Sequence, residues 1–285
     1  IMVSINCITY NHEDYIADAL DSFLMQRTNF EFEILIGEDC STDNTLEIVK
    51  RYVEKYPERI RLITSDKNVG GRANSRRLQK SSKGKYVAIC EGDDYWTDPN
   101  KLQKQVDYME QNPKCSMCVH AASVQEESSR KSLRKKMIQP YRIDRISPIE
   151  HIITGGGGFC PTASLLYPRK LMDNPPSFYS TAHVGDYPLQ IYLASQGYVY
   201  YINESMSIYR TGVKGSWTNR VNSERNNKNK IIEVYRQDIN LLKEFNEDTS
   251  SEYLLEVNNA ILKKEFEILL INGEVLELKG SKYEK

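Results

Sequence analysis

The chain has 285 residues, 40% hydrophobic and 27% charged, with a formal net charge of −1. That composition is ordinary for a soluble globular protein of one large domain, or a domain with an appendage, and it leaves no electrostatic footprint for nucleic acid. No apolar run approaches the roughly 20 residues that span a bilayer, and no leader pattern precedes the first strand, which leads to the expectation of a cytoplasmic protein, at most peripheral at the inner membrane face.

Residues 2–9 (MVSINCIT) are short, apolar and partly β-branched, and predict a strand. Asn11 is then expected to cap an amphipathic helix with Tyr15, Ala19 and Phe23 on its inner side, and Leu20 and Leu24 beside them. Residues 32–37 predict a second strand, EDCSTDNT a polar turn, residues 45–56 a helix ended by Pro57, and residues 60–64 a third strand. The stretch SDKNVGGRANSRRLQKSSKGKY reads as a loop and a helix, and residues 86–90 as a fourth strand. This alternation predicts right-handed βαβ units in a mostly parallel sheet covered on both faces. In such sheets ligands collect beyond the carboxyl ends of the strands. The polar clusters at residues 9–11, 38–43, 65–71 and 91–94 should therefore share one rim.

Residues 101–112 predict a helix and residues 115–124 a strand. Cys115-Ser-Met-Cys118 is a lone CxxC with no second pair, and four of the six cysteines lie in or beside apolar runs that suit buried thiols, so a reducing compartment is expected. Residues 128–145 are basic, with Arg130, Lys131, Arg134, Lys135, Lys136, Arg142 and Arg145 against Asp144 alone. A surface loop and a clamp for an anionic acceptor both fit that pattern. After the glycine run at residues 155–158, residues 163–167 predict a strand, 186–196 a helix and 198–202 a strand. From about Arg225 the pattern is purely helical, with stripes at Ile232, Tyr235, Ile239 and Leu242, and at Leu254, Val257, Ile261 and Ile268. Thr249-Ser-Ser-Glu252 resembles a capping box and Gly273 a helix stop. These helices should pack on the domain or on a second copy of the chain, as in a homo-oligomer, and nothing in them suggests chemistry.

The densest chemistry is AICEGDDYW, where Glu91, Asp93 and Asp94 crowd the end of an apolar strand. A hard divalent cation takes such oxygen ligands and keeps water or phosphate oxygens for the rest. Helix capping is the competing use, but Thr97-Asp-Pro99 also suits the following helix, so three acids exceed what capping needs. Asp39 can accept a hydrogen bond from an imide or amide N–H, as a uracil-like edge presents, while Asp43 is placed to cap the next helix. Asp66, Asn68, Gly70 and Gly71 come to the rim, and Arg72, Arg76 or Arg77 could reach a diphosphate. No Gly-Lys-Ser/Thr follows the glycines and GxGxxG is absent, which argues against a Walker loop or a dinucleotide site. Asp186 opens a helix, where it suits either an N-cap or a general base. His183 is the reserve base, or a structural histidine.

VSINCITYNHEDYIADALDSFLMQ, EILIGEDCSTDNT, NVGGRANSRR and GKYVAICEGDDYW resemble, in order, the motifs of GT-A nucleotide-sugar glycosyltransferases, and more narrowly the inverting family numbered two. The match runs over residues 3–105 and resumes over 155–217. The resemblance implies a Rossmann-like α/β domain over residues 1–222, with a donor half 1–112, an acceptor half 113–222 and a helical extension 223–285. It implies nucleobase contacts from Thr9, Tyr10, Asn11 and Asp39, and a Mn²⁺ or Mg²⁺ ion held by Asp93 and Asp94 with Glu91 as the third acid. It also implies Asp186 as the base. The glycine run with Gly157 would approach the donor sugar or act as a hinge. In the closing loop Arg210 and Lys214 would meet the diphosphate and Trp217 stack on a sugar. Two positions depart from the family pattern: Glu91 stands for its first Asp, and Thr211 follows Tyr-Arg where a His is common. The implied activity is metal-dependent inverting transfer from a nucleoside-diphosphate sugar, UDP-linked, to a glycan, lipid-linked or protein acceptor. A sugar nucleotidyltransferase and a catalytically silent nucleotide-binding scaffold are the alternatives. The first would carry a glycine-rich basic signature where this chain has TYNHEDY.

Overall fold

The structure is a computed structural model and describes residues 1–127, 136–214, 216 and 228–273. Strand and helix alternate at first as the periodicity predicts: β1 Val3–Thr9, α1 Ile16–Leu24, β2 Phe32–Glu38, α2 Thr45–Lys55, β3 Ile60–Ile63, α3 Gly71–Ser81 and β4 Tyr86–Ile89. Then come β5 Tyr95–Trp96, α4 Lys101–Gln111, β6 Cys115–Glu126, β7 Lys136–Ile138, β8 Arg145–Ser147, α5 Ile149–Gly155, β9 Leu166–Pro168, α6 Ser177–Thr181, α7 Asp186–Ser195 and β10 Tyr198–Thr211. Two long helices, α8 Lys228–Asp248 and α9 Leu254–Asn272, follow.

The strands join one sheet in the order β3-β2-β1-β4-β9-β6-β10-β5, with β7 added to β6 and β8 to β10. Pairing is parallel from β3 through β4 and between β6 and β10, and antiparallel at β9, β5, β7 and β8. Side chains alternate across the sheet with the two-residue period of a strand. Tyr86 and Ala88 enter a core with Ile16, Phe23 and Leu102, whereas Val87 enters another with Met117, Val119 and Tyr201. Fully burying a side chain such as Phe23, edge-on to Trp96 at 4.9 Å, contributes roughly 1.5–3 kcal/mol.

Several expectations are corrected. Asn11 does not cap α1, which starts five residues later behind Tyr15 with no side-chain cap. Its backbone is left-handed (φ 56°) and its Oδ1 accepts the Thr42 N–H at 2.8 Å. Residues 162–164 form a 3₁₀ turn, so the strand expected over 163–167 begins only at Leu166. β10 does not stop at Ile202 but runs on to Thr211 through register shifts at Ile202/Ser205 and Ser205/Ser207. Thr249 does not open a capping box: its hydroxyl donates to the Phe245 carbonyl at 2.9 Å, closing the end of α8. Gly273 does stop α9, in the left-handed region at φ 82°. The basic stretch holds β7 and β8 on its C-terminal side, while Arg130, Lys131, Arg134 and Lys135 lie outside the described residues. Among the described residues no helix is long and apolar enough to cross a membrane.

Candidate active site

Parallel pairing delivers the carboxyl ends of β1, β2 and β4 to one rim. Asp39 N–H donates to the Thr9 carbonyl at 3.1 Å, and Gly92 N–H to the Ile8 carbonyl at 3.0 Å. This close crossing demands glycine. A Cβ at Gly92 would lie 2.6 Å from Thr9 Oγ1 and 2.9 Å from His12 Nδ1.

The acids sit directly beyond that crossing. Asp94 is 3% exposed and its Oδ1 accepts the backbone N–H of Arg210 at 2.8 Å. Burial, then the neighbouring Asp93, pushes its carboxyl well above the usual range. Glu91 is pushed up to about 8 by desolvation, with further contributions from Asp93 and Asp186. The Asp186 contribution puts the start of α7 within electrostatic reach of the rim. His12, which no sequence motif singles out, brings Nε2 to 4.0 Å from Asp93 Oδ2 and Nδ1 to 3.2 Å from Thr9 Oγ1. Its only sequence signal was its place in the loop after β1.

Arg210 braces this cluster from behind. β10 pairs with β5 through Ser207 and Trp96, and Ile208 and Tyr95, which carries Arg210 beneath the acidic loop. Its guanidinium donates to the Asp93 carbonyl at 2.9 Å and to the Asp18 carboxylate, and it lies 4.5 Å from the Tyr95 ring centroid and 5.1 Å from that of Tyr15. A guanidinium so engaged holds the acidic loop, a use the sequence did not suggest beside the diphosphate contact that the resemblance implies.

The nucleobase candidates also share the rim, but Asp39 is not free. Its oxygens accept the N–H groups of Val69 and Gly70, each at 2.9 Å, and Arg77 approaches to 3.6 Å. Asp39 thereby fixes the loop bearing Asp66 and Asn68, both exposed, with Asn68 Oδ1 accepting the Gly70 N–H at 2.9 Å. Asp43 stands one residue before Asn44, the N-cap of α2, and accepts the N–H of Thr45, the first helical residue, at 2.9 Å. Tyr10 is exposed at the rim and Thr9 is buried beneath it. Arg72 and Arg76 point across to the acceptor side. Arg72 donates to the carbonyls of Val184 and Tyr179 and stacks on the Tyr179 ring, and Arg76 donates to the Ser180 carbonyl at 2.7 Å.

Asp186 is the first residue of α7, behind Gly185, and burial raises its pKa. Its Oδ1 accepts the N–H of Tyr187 at 2.8 Å. The glycine run lies against it: a Cβ at Gly157 would come 2.7 Å from Asp186 Oδ2. His183 lies in the preceding turn, 3.3 Å from Asp238 Oδ1 on α8. Trp217 lies outside the described residues.

Whether this donor set suits a divalent cation can be judged from its charges. Among the described residues no three His, Cys, Asp or Glu side chains enclose a metal position. Asp93, Asp94 and Glu91 instead present crowded hard oxygens: desolvation and the neighbouring Asp93 raise both Glu91 and Asp94, and Arg210 offsets this in part at Asp94. That suits a cation held by one or two carboxylates and completed by phosphate oxygens and water.

Residues 4–173 match the family model described as Glycosyl transferase family 2. An uncharacterized protein of Mycobacterium tuberculosis is 36% identical over 219 residues, covering 75% of this chain and 60% of that protein. The match thus spans less than two thirds of that relative's length. TarS 1-349 of S. aureus, in complex with UDP-GlcNAc, has a TM-score of 0.59 at 17% identity, covering 95% of this chain and 81% of that one. The mannosyltransferase PcManGT from Pyrobaculum calidifontis, in complex with GDP-Man and Mn2+, has a TM-score of 0.58 at 16% identity, covering 97% and 80%. At these identities the two structures speak for the fold alone.

Proposed function

The chain belongs to glycosyl transferase family 2, and from that premise we propose that it is a metal-dependent inverting sugar transferase using a nucleoside-diphosphate sugar, UDP-linked. The observation that carries the reading is the acid cluster at the strand rim within electrostatic reach of a buried carboxylate of raised pKa. Donor chemistry needs the first and acceptor chemistry the second. TarS and PcManGT, which share this fold, hold UDP-GlcNAc and GDP-Man with Mn2+ respectively, and the proposal carries that donor class and a divalent cation over to this chain.

In this reading Thr9, Tyr10 and Asn11 border the nucleobase, and the Asp39-braced loop with Asp66 and Asn68 walls the ribose side. Asp93 and Asp94, with Glu91 beside them, would hold a divalent cation. When bound, it supplies charge neutralisation for the departing diphosphate. Arg210 keeps the acidic loop in place. Asp186 takes the proton of the acceptor hydroxyl as the oxygen attacks the anomeric carbon in line from the face opposite the diphosphate, which inverts the configuration. Desolvation makes Asp186 a stronger base than a solvated aspartate, in the direction this role requires. Gly157 leaves room at its carboxylate for the acceptor. The acceptor is a glycan, a lipid-linked sugar or a protein side chain.

The test is UDP release from UDP-sugars with Mn²⁺, followed beside UDP binding by calorimetry. Asp94→Ala and chelation with EDTA should each abolish release. Asp186→Asn should lower turnover about 10²-fold or more while leaving the UDP Kd within about twofold. Loss of UDP binding in Asp186→Asn would sink the base assignment, and failure of any nucleotide sugar to bind would sink the whole reading.

A further inference from the structure

A charged network that includes both C-terminal helices stands beside Asp186. His183 Nε2 is 3.3 Å from Asp238 Oδ1 on α8, and Lys264 Nζ on α9 is 2.6 Å from Asp238 Oδ2. The three side chains are only 15–17% exposed. Lys264 Nζ also stands 5.7 Å from the ring centroid of Tyr187, the residue after Asp186, and 5.7 Å from that of Tyr235. One turn earlier Thr181 donates to the Glu244 carboxylate of α8 at 3.1 Å. The segment leading to Asp186 is thus gripped by α3 arginines on one side and by α8 on the other.

We propose that Asp238 and Lys264 are positioning residues for Asp186, acting through His183 and Tyr187, so that the C-terminal helices complete the acceptor side of the site. This rests on the reading of Asp186 as the base.

An exposed ion pair would carry little meaning, since such pairs contribute almost nothing. A nearly buried carboxylate is different, because leaving it unpaired is strongly unfavourable. Asp238 therefore needs Lys264, and with that partner it can lie beside His183 and Asp186. The groups facing this point are Arg72 from α3, Asp238 from α8, Lys264 from α9 and Asp186 itself, with Glu91 across the site. Burial lowers the His183 pKa first. Asp238 and then Asp186 oppose that effect, while Lys264 and Arg72 reinforce it. Removing Asp238 should therefore lower the imidazole's titration midpoint, and removing Lys264 should raise it.

Opposite signs separate this network from a tether that merely holds the tail. The chain has four histidines, so ring-carbon-labelled histidine gives a short NMR spectrum, with His183→Gln identifying the signal. Asp238→Asn should move the His183 midpoint down and Lys264→Met should move it up, each by about half a unit or more, with Lys264→Arg close to wild type. In UDP release from UDP-N-acetylglucosamine with Mn²⁺, kcat should fall about tenfold or more in the first two variants. The UDP Kd should stay within about twofold and Lys264→Arg should retain most of the rate. Same-sign or absent shifts in folded variants overturn the proposal, as does an unchanged kcat. Should the wild type release no UDP, the donor reading fails instead, and the His183 midpoints still decide whether the tail is coupled to this point.

Discussion

Lys101 begins α4 with its side chain fully buried, its ammonium 4.0 Å from the Trp96 ring centroid and without a hydrogen-bond partner. Desolvation brings its pKa down to about 7, whereas an unfolded lysine titrates near 10.4. Between those values the unfolded chain binds more protons, so stability from this group is lost as pH falls from about 10 to about 7. Lys101→Met keeps an unbranched apolar chain and removes the charge. It should gain on the order of 3 kcal/mol over wild type in urea unfolding at pH 7, with the gain shrinking toward zero near pH 10. A gain that stays constant with pH would rule out the ammonium as its source. At this scale the sequence shows which residues are chemically dense but hides their partners. Glu91, Asp93 and Asp94 crowd one another within four positions, so their repulsion is visible in the chain itself. Arg210 finds Asp94 across 116 positions and Asp18 across 192, and Asp39 finds Gly70 across 31. Those distances explain why the loop contacts of Arg210 and Asp39 were not legible in the sequence.

Among elements, β1 to β4 and their helices were legible because each carries its own apolar period and a turn on either side. β10 was not. Asn203-Glu-Ser-Met206 looks like a turn, and only pairing with β6 and β5 carries the strand onward past irregular register. That extension matters because it delivers Arg210. Helix α3 raises a sharper question, since Arg72 was expected at the nucleotide but donates to the carbonyls of Tyr179 and Val184. The two uses separate kinetically. If Arg72 clamps the segment before α7, Arg72→Ala should lower kcat for UDP release about tenfold with the UDP Kd unchanged. A UDP Kd raised tenfold with kcat preserved would return Arg72 to the nucleotide.

At the scale of the whole molecule the C-terminal helices decide whether the acceptor side can stand. Their apolar stripes were legible, but periodicity alone could not say whether the domain or a second copy would cover them. They pack on α5 and α6 and place Leu241, Leu242, Phe245, Val257 and Ala260 in one core with Phe178, Tyr187 and Leu189. Leu241, Leu242 and Phe245 alone contribute roughly 5–9 kcal/mol by burial, as much as the entire net stability of many domains. A chain ended at residue 222 should therefore lose cooperative thermal unfolding and aggregate, although it retains every residue assigned to the donor, the cation and the base. The alternative is an independent donor-and-acceptor domain with a dispensable appendage, which would unfold at an unchanged Tm and bind UDP normally. Calorimetric scans of the two chains separate these outcomes. Loss of the cooperative transition would mean that the helices are part of the fold that holds Asp186, and that the site cannot be assembled without them.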